Sequence, residues 1–381
     1  MQLPGITGAA CHDPAGHPYR ECFNRHTMRI AGAGSAFPKH YYPQAVLLAA
    51  LREYWKGQIE NPRMLDQLHA HAGVDGRHLV LPIERYYGLK NFGEFNQVWI
   101  EAAQELGEHA IRCAMSRAGL ELSQIGALFF VSVTGVASPS IDARLINRMK
   151  LPTNLRRTPI FGLGCVAGAA GVARAADYVR AYPDQVAVLL SVELCSLTLQ
   201  REDLSLANLV SSGLFGDGAA AVVVAGADVK RREESYDGPE ILATGSVFYP
   251  DTEEVMGWDI SEKGFRIVLS REVPEVVREH LGPDVDALLG DHGFRRSDVG
   301  SWVLHTGGPK VLEAAEESLA LKNGEIQASW DCLRRVGNLS SASVLCVLED
   351  VMLNRRPEPG TLGVMAALGP GFCSEVVLLR W

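Results

Sequence analysis

The sequence predicts an α/β protein built as an internal repeat. Strand-length apolar runs alternate with amphipathic helical segments, and the same element order recurs in the C-terminal part of the chain. The composition is that of a globular chain, with 47% hydrophobic residues, 21% charged residues and 38 glycines among 381 positions. That length supports two domain-sized units or one large duplicated body with a substantial core.

Residues 1–27 show neither helical nor strand periodicity and read as an extended arm. Cys11, His12, His17, Cys22 and His26 lie there, in spacings that fit no metal-ligand pattern. From Trp99, the apolar positions Ala103, Leu106, Ala110 and Cys113 follow at steps of four, three, four and three, a helix that ends near Gly119. The uninterrupted run from Ala127 to Val133 suits a strand covered on both faces. A small-residue helix from Cys165 to about Tyr182, a strand from Val186 to Val192 and another over Ala219–Val224 complete the first pass.

The second pass sets residues 278–368 against 104–192. Ser123-Gln124-Ile125-Gly126 has its counterpart in Ser297-Asp298-Val299-Gly300, and each is followed by a strand, a glycine loop and a helix. Equal stretches of chain separate Ser132 from Cys165 and His305 from Asn338. The repeat therefore predicts that Cys165 and Asn338 occupy equivalent helix starts, with His305 at a strand end beside them. The boundaries that follow are an arm at 1–27, a half at 28–240 carrying the nucleophile, and a half at 241–381 carrying His and Asn.

A formal net charge of −9 with no basic run removes the phosphate attraction that nucleic-acid binding needs. Without a leader pattern or a long uncharged apolar stretch, export and membrane insertion are not expected. The eight cysteines form no CxxC pair, as reduced thiols of a cytoplasmic protein do. Gly213-Leu-Phe-Gly216-Asp-Gly218 superficially looks like a phosphate loop, but a strand follows it and no Lys-Ser/Thr is present. Nothing in the sequence requires a metal, nucleotide or prosthetic group.

Three residues combine into a chemistry. Cys165 stands at a glycine turn into an Ala/Gly helix, where unpaired N–H groups and the helix dipole favour thiolate. His305 ends an apolar strand before Gly307-Gly308-Pro309, and Asn338 lies in Gly337-Asn338-Leu339-Ser340. Read singly, each has a plain structural explanation: a core thiol, a satisfied histidine, a helix N-cap. Together they supply a nucleophile, a proton partner and a neutral amide donor, which suits acyl transfer.

Gly-Leu-Gly-Cys165-Val-Ala-Gly, Leu214-Phe215-Gly216-Asp217-Gly218, His305-Thr-Gly-Gly-Pro309, Gly337-Asn338-Leu-Ser-Ser341 and Gly369-Pro370-Gly371-Phe372 occur in that order. The series resembles the chalcone-synthase-like type III polyketide synthases over about residues 85–381. The resemblance implies a thiolase-like, duplicated five-layered αβαβα fold, a homodimer, and acyl-CoA and malonyl-CoA as substrates with no cofactor. It implies that Cys165 accepts the acyl group, that His305 and Asn338 hold the thioester carbonyl during decarboxylation, and that Phe215 is a gatekeeper. Cys195, Val133, Ser138, Gly257, Ile267 and Ser340 are its candidates for the substrate cavity, and Arg63, Arg77 and Lys310 for the coenzyme phosphates. Cys195 and Val133 replace threonines, Ile267 a second gatekeeper phenylalanine, and Ser138 a methionine at the dimer interface. The less polar cavity predicts an aliphatic starter and an alkylpyrone or alkylresorcinol product. An initiating ketoacyl synthase working on acyl carrier protein, or a cysteine acyl hydrolase, would use the same residue types.

Overall fold

The computed structural model describes residues 27–59, 61–232 and 238–381, so the expected arm lies outside it but for Thr27, together with its Cys and His residues. In chain order the large elements are β1 (Met28–Ala36), α1 (Phe92–Ala118), β2 (Ile125–Val131), β3 (Arg156–Ile160), α2 (Ala167–Ala181) and β4 (Val186–Leu194). Then come α3 (Leu206–Leu214), β5 (Asp217–Ala225), β6 (Glu240–Phe248), α4 (Val273–Asp291) and β7 (Val299–Leu304). Helices α5 (Pro309–Leu319), α6 (Gln327–Val336) and α7 (Ser343–Asn354) precede β8 (Leu362–Gly369) and β9 (Cys373–Arg380).

The nine strands join in the order β7-β8-β9-β6-β1-β5-β4-β2-β3. Counted outward from the centre, β1-β5-β4-β2 and β6-β9-β8-β7 follow one connectivity, with β3 the extra strand of the first half. Among the described residues the ladder between β1 and β6 has two pairs, Met28 with Ile241 and Arg29 with Glu240, so the two sheets of a five-layered fold touch edge to edge.

Strands buried on both faces send alternate side chains to different cores, because the pleat has period two. In β2, Leu128 and Phe130 pack outward with Trp99, Ala103 and Ala110 of α1. Ala127, Phe129 and Val131 pack inward with Val172 and Ala176 of α2, in a core that also holds Val344 and Leu348 of α7 and Met365 and Val377 of the second half. Trp302, Leu304 and Val364 face a third core with Val277, Leu281 and Leu312 of α4 and α5. This gives the layers α1, first sheet, α2 with α7, second sheet, α4 with α5.

Local signals end the elements where the residues allow. Asn91 caps α1, its Oδ1 accepting from Glu94 N at 3.1 Å, and Gly119 closes it at φ 67°. The strand expected to reach Val133 stops at Val131, because the buried carboxylate of Glu193 takes the Val133 N–H and the hydroxyls of Ser132 and Thr134. Asn338 is not a helix start. Helix α7 begins at Ser343 after a 3-10 turn over Ser340–Ala342, and the positional counterpart of Cys165, central in its own 3-10 turn Gly164–Val166, is Ser341. No helix of the described residues is long and apolar enough to cross a membrane.

Candidate active site

Cys165, His305 and Asn338 converge on one cavity of about 840 Å³, although they come from different elements. Cys165 is held by the turn into α2, where Gly164 has φ +57° and a Cβ would stand 2.4 Å from the Pro370 ring. Its Sγ lies 3.6 Å from Ser340 Oγ. His305 follows β7 and stays in register with β8 through its N–H to Ala366 O at 3.0 Å. Its Nδ1 is buried with no hydrogen-bond partner.

Asn338 is fixed on both sides. Its backbone N–H donates to Leu214 O and its carbonyl accepts from Gly216 N–H, each at 2.9 Å, which ties it to the Phe215 turn. Its Oδ1 accepts from Ser340 N at 2.8 Å and Ser343 Oγ at 3.3 Å. The acceptor end being occupied, the Nδ2 end of the amide is the one left to donate toward the cavity.

Burial sets the protonation of the site. The Cys165 thiol is pushed up to about 12 by loss of hydration, against the Ser340 hydroxyl, with the nearby Glu193 carboxylate adding to the rise. His305 is pulled down to about 4 by burial alone. The expected thiolate is therefore not the resting form; thiol and imidazole are both neutral. Glu193, fully buried and raised to about 7 by its burial, was not anticipated, although a lone carboxylate in the apolar run Val188–Leu194 is the signal that marks it.

Phe215 lines this cavity and also a second, smaller one of about 130 Å³. The smaller chamber is walled by Cys195, Ile267, Trp258, Leu199 and Tyr86 among others. Phe215 thus stands between the reactive residues and an apolar chamber. Ile267 faces the chamber, whereas Phe265 is buried in an aromatic cluster with Phe92, Phe161 and Trp258. Ser340 is buried beside Cys165.

The remaining candidates fall elsewhere. Val133, Ser138 and Gly257 line neither cavity: Val133 is buried against Glu193, Ser138 is exposed, and the flanking Met256 and Trp258 line the cavities in place of Gly257. Arg77, a candidate for the coenzyme phosphates, is instead 3% exposed, donates to Phe215 O at 2.9 Å and is lowered by burial to about 10, so it braces the gate. Arg63 is exposed away from both cavities. Lys310 is exposed at the large cavity, joined there by Arg271, which the sequence reading missed because nothing local sets it apart from other surface arginines.

A nucleophile, two neutral donors and a gate aromatic on one cavity fit carbon–carbon condensation on a tethered acyl group. Residues 82–229 match the N-terminal domain of the chalcone and stilbene synthases, and residues 240–381 their C-terminal domain. The chain is a type III polyketide synthase. The synthase is 50% identical to a 1,3,6,8-tetrahydroxynaphthalene synthase of Streptomyces peucetius subsp. caesius, over 94% of this chain and 95% of that one. It is 35% identical to a putative chalcone synthase of Bacillus subtilis (strain 168), over 92% and 98% of the two chains. The crystal structure of 1,3,6,8-tetrahydroxynaphthalene synthase from Streptomyces coelicolor A3(2) superimposes with a TM-score of 0.86 at 32% identity, covering 93% of the synthase and 99% of that chain. The fold is therefore thiolase-like, and the synthase is an acyl-condensing enzyme acting on malonyl-CoA.

Proposed function

We propose that the synthase builds its chain from malonyl-CoA alone and closes it to a polyhydroxylated aromatic of the tetrahydroxynaphthalene kind. The observation that carries this is the chamber beyond Phe215. At about 130 Å³ it lies below the 300–1,000 Å³ typical of pockets for larger ligands, so it seats a short acyl unit rather than a long alkyl chain. The high identity to a tetrahydroxynaphthalene synthase supports the same reading.

Cys165 takes the starter acyl group from coenzyme A, its proton passing through His305 to the departing coenzyme A sulfur as the thioester forms, which leaves His305 neutral. Malonyl-CoA then loses carbon dioxide, and the bonding pair moves onto the thioester oxygen as an enolate. His305 and the Asn338 Nδ2 donate to that oxygen, where charge develops. A neutral imidazole donates without bringing a charge into the pocket. Phe215 presents an apolar face that favours losing the carboxylate. The enolate carbon attacks the Cys165 thioester, the sulfur leaves, and the lengthened chain is reloaded for the next round.

Halves 28–240 and 241–381 present this site from both sides, a division that the mirrored strand order supports. The reading extends to a cytoplasmic protein and to a homodimer, the homodimer supported by Phe161 and Phe248, which are 50% and 59% exposed.

A second reading, an aliphatic starter giving an alkylpyrone or alkylresorcinol, is favoured by the chamber's aliphatic wall of Leu47, Ile83, Leu199 and Ile267. Product mass decides, with malonyl-CoA alone and with added acyl-CoA of increasing length. An aromatic from malonyl-CoA alone is expected, and it should be lost in Cys195→Phe, which fills the chamber. Products that form only with an alkanoyl-CoA would replace the first reading by the second. A single condensation on carrier protein, or free acid alone, would replace both.

A further inference from the structure

Behind the wall of the small chamber lies a polar chain that the condensation chemistry does not use. Tyr86 and Ser196 both line the chamber, and their hydroxyl oxygens are 2.6 Å apart. Ser196 Oγ donates to Asp217 Oδ2 at 2.5 Å, so its own proton is committed and Tyr86 is the donor to Ser196. Asp217 is completely buried, and it also accepts Val80 N–H at 2.7 Å and Ser196 N–H at 2.8 Å. Leu81 N–H donates to Tyr86 Oη at 3.3 Å. All the hydroxyl protons therefore point one way, from the chamber toward a carboxylate.

We propose that Tyr86, Ser196 and Asp217 form a proton relay that deprotonates the end of the poly-β-keto chain that reaches into the chamber and so selects carbon–carbon ring closure. The proposal rests on the aromatic-product reading. A methylene between two carbonyls gives its proton to Tyr86 Oη as the Tyr86 proton passes to Ser196 Oγ and the Ser196 proton to Asp217. The chain is left as an enolate and Asp217 as a neutral acid. The enolate carbon then adds to another carbonyl of the same chain. The resulting alkoxide recovers a proton by the reverse movement, which regenerates the Asp217 carboxylate, and loss of water makes the ring aromatic. No oxidant or reductant enters. Without the relay, the chain closes through its more readily formed enol oxygen, as a pyrone.

Charge around the relay is consistent with this direction. Asp217 is raised to about 6 by burial, with the Arg77 guanidinium opposing, so it is ionised yet basic enough to accept a proton. Tyr86 is held well above its usual range by burial and by Asp217, with Tyr42 adding to the rise, so it passes protons without ionising. Cys195, also facing Asp217, stays a thiol.

The test uses labelled malonyl-CoA with the wild type, Tyr86→Phe and Ser196→Ala, and measures carbon dioxide release and the ratio of aromatic to pyrone products. The ratio should fall by on the order of 10²-fold, as for loss of a general base, and far more than carbon dioxide release falls. An unchanged ratio in the folded variants would overturn the relay alone. A parallel fall of release and ratio would show that these residues only support the fold, and would also overturn it. A wild type that makes only pyrones would overturn the aromatic reading and the relay together.

Discussion

The Cys165 thiol sits at the start of α2, where helix-terminal N–H groups favour an anion, yet burial moves it from 9.0 to about 12. That shift is on the order of 4 kcal/mol at 1.36 kcal/mol per unit, against roughly 0.3–1 kcal/mol for a charge at a helix end. Desolvation wins, and the thiol waits for substrate to be activated. Alkylation of Cys165 by iodoacetamide, followed by mass spectrometry, should therefore quicken about tenfold per pH unit from 6 to 9, since only the thiolate reacts. A rate that levels off below pH 8 would reveal a preformed thiolate. The division of labour among the three residues is separately measurable. Cys165→Ala should still release carbon dioxide from malonyl-CoA, whereas Asn338→Ala should lose release by on the order of 10²-fold or more, the usual effect of removing one oxyanion donor. Equal losses in the two variants would contradict the assignment.

At the scale of elements, the site depends on how closely α2 approaches the turn Ser340–Ala342. A Cβ on Gly168 would stand 2.3 Å from Ser341 O and 2.6 Å from Val344 Cγ1. The first of these is backbone and cannot rotate aside. Gly168→Ala should therefore lower stability by about 1–3 kcal/mol and cut condensation by on the order of 10²-fold, because the turn carrying Cys165 is pushed away from Asn338. Gly290, within α4, has nothing within 4 Å of its Cβ position. Gly290→Ala should leave activity intact and stabilise by about 0.4–1 kcal/mol through the unfolded chain. Thermal melts and product assays on both variants check the contrast; equal behaviour would mean that the close approach of α2 does not constrain the site.

For the whole molecule, exposed apolar side chains gather beside the nucleophile's loop. Phe161 adjoins Gly162, and Phe248 lies 3.1 Å from the Cβ position of Gly371, one residue after the Pro370 that abuts Gly164. Such surface is what the proposed homodimer would cover. Sedimentation velocity should show a dimer, and the double variant Phe161→Asp, Phe248→Asp should shift it toward monomer. A monomeric wild type would remove the homodimer from the proposed function.

The α/β alternation, its repeat, and Cys165 and His305 as candidates were legible in the sequence because their signals are local, whereas the layering came from the family resemblance. A glycine turn ahead of a small-residue helix, and an apolar strand running into Gly-Gly-Pro, are read within about ten residues. The repeat even brought Asn338 near its place, although it missed by three positions which residue is the counterpart of Cys165. What the tertiary structure decided is which groups are charged and which partners they meet. Glu193 and Ser341 are 148 positions apart, Tyr86 and Ser196 are 110, and Arg77 reaches Phe215 across 138. The segment Gly76-Arg77-His78 carries no sign of that last contact, and so Arg77 reads as a candidate for the coenzyme phosphates. Protonation follows from desolvation and from hydrogen bonds closed between distant segments. Periodicity along the chain reports which face of an element is buried, and those contacts exist only once the layers have packed.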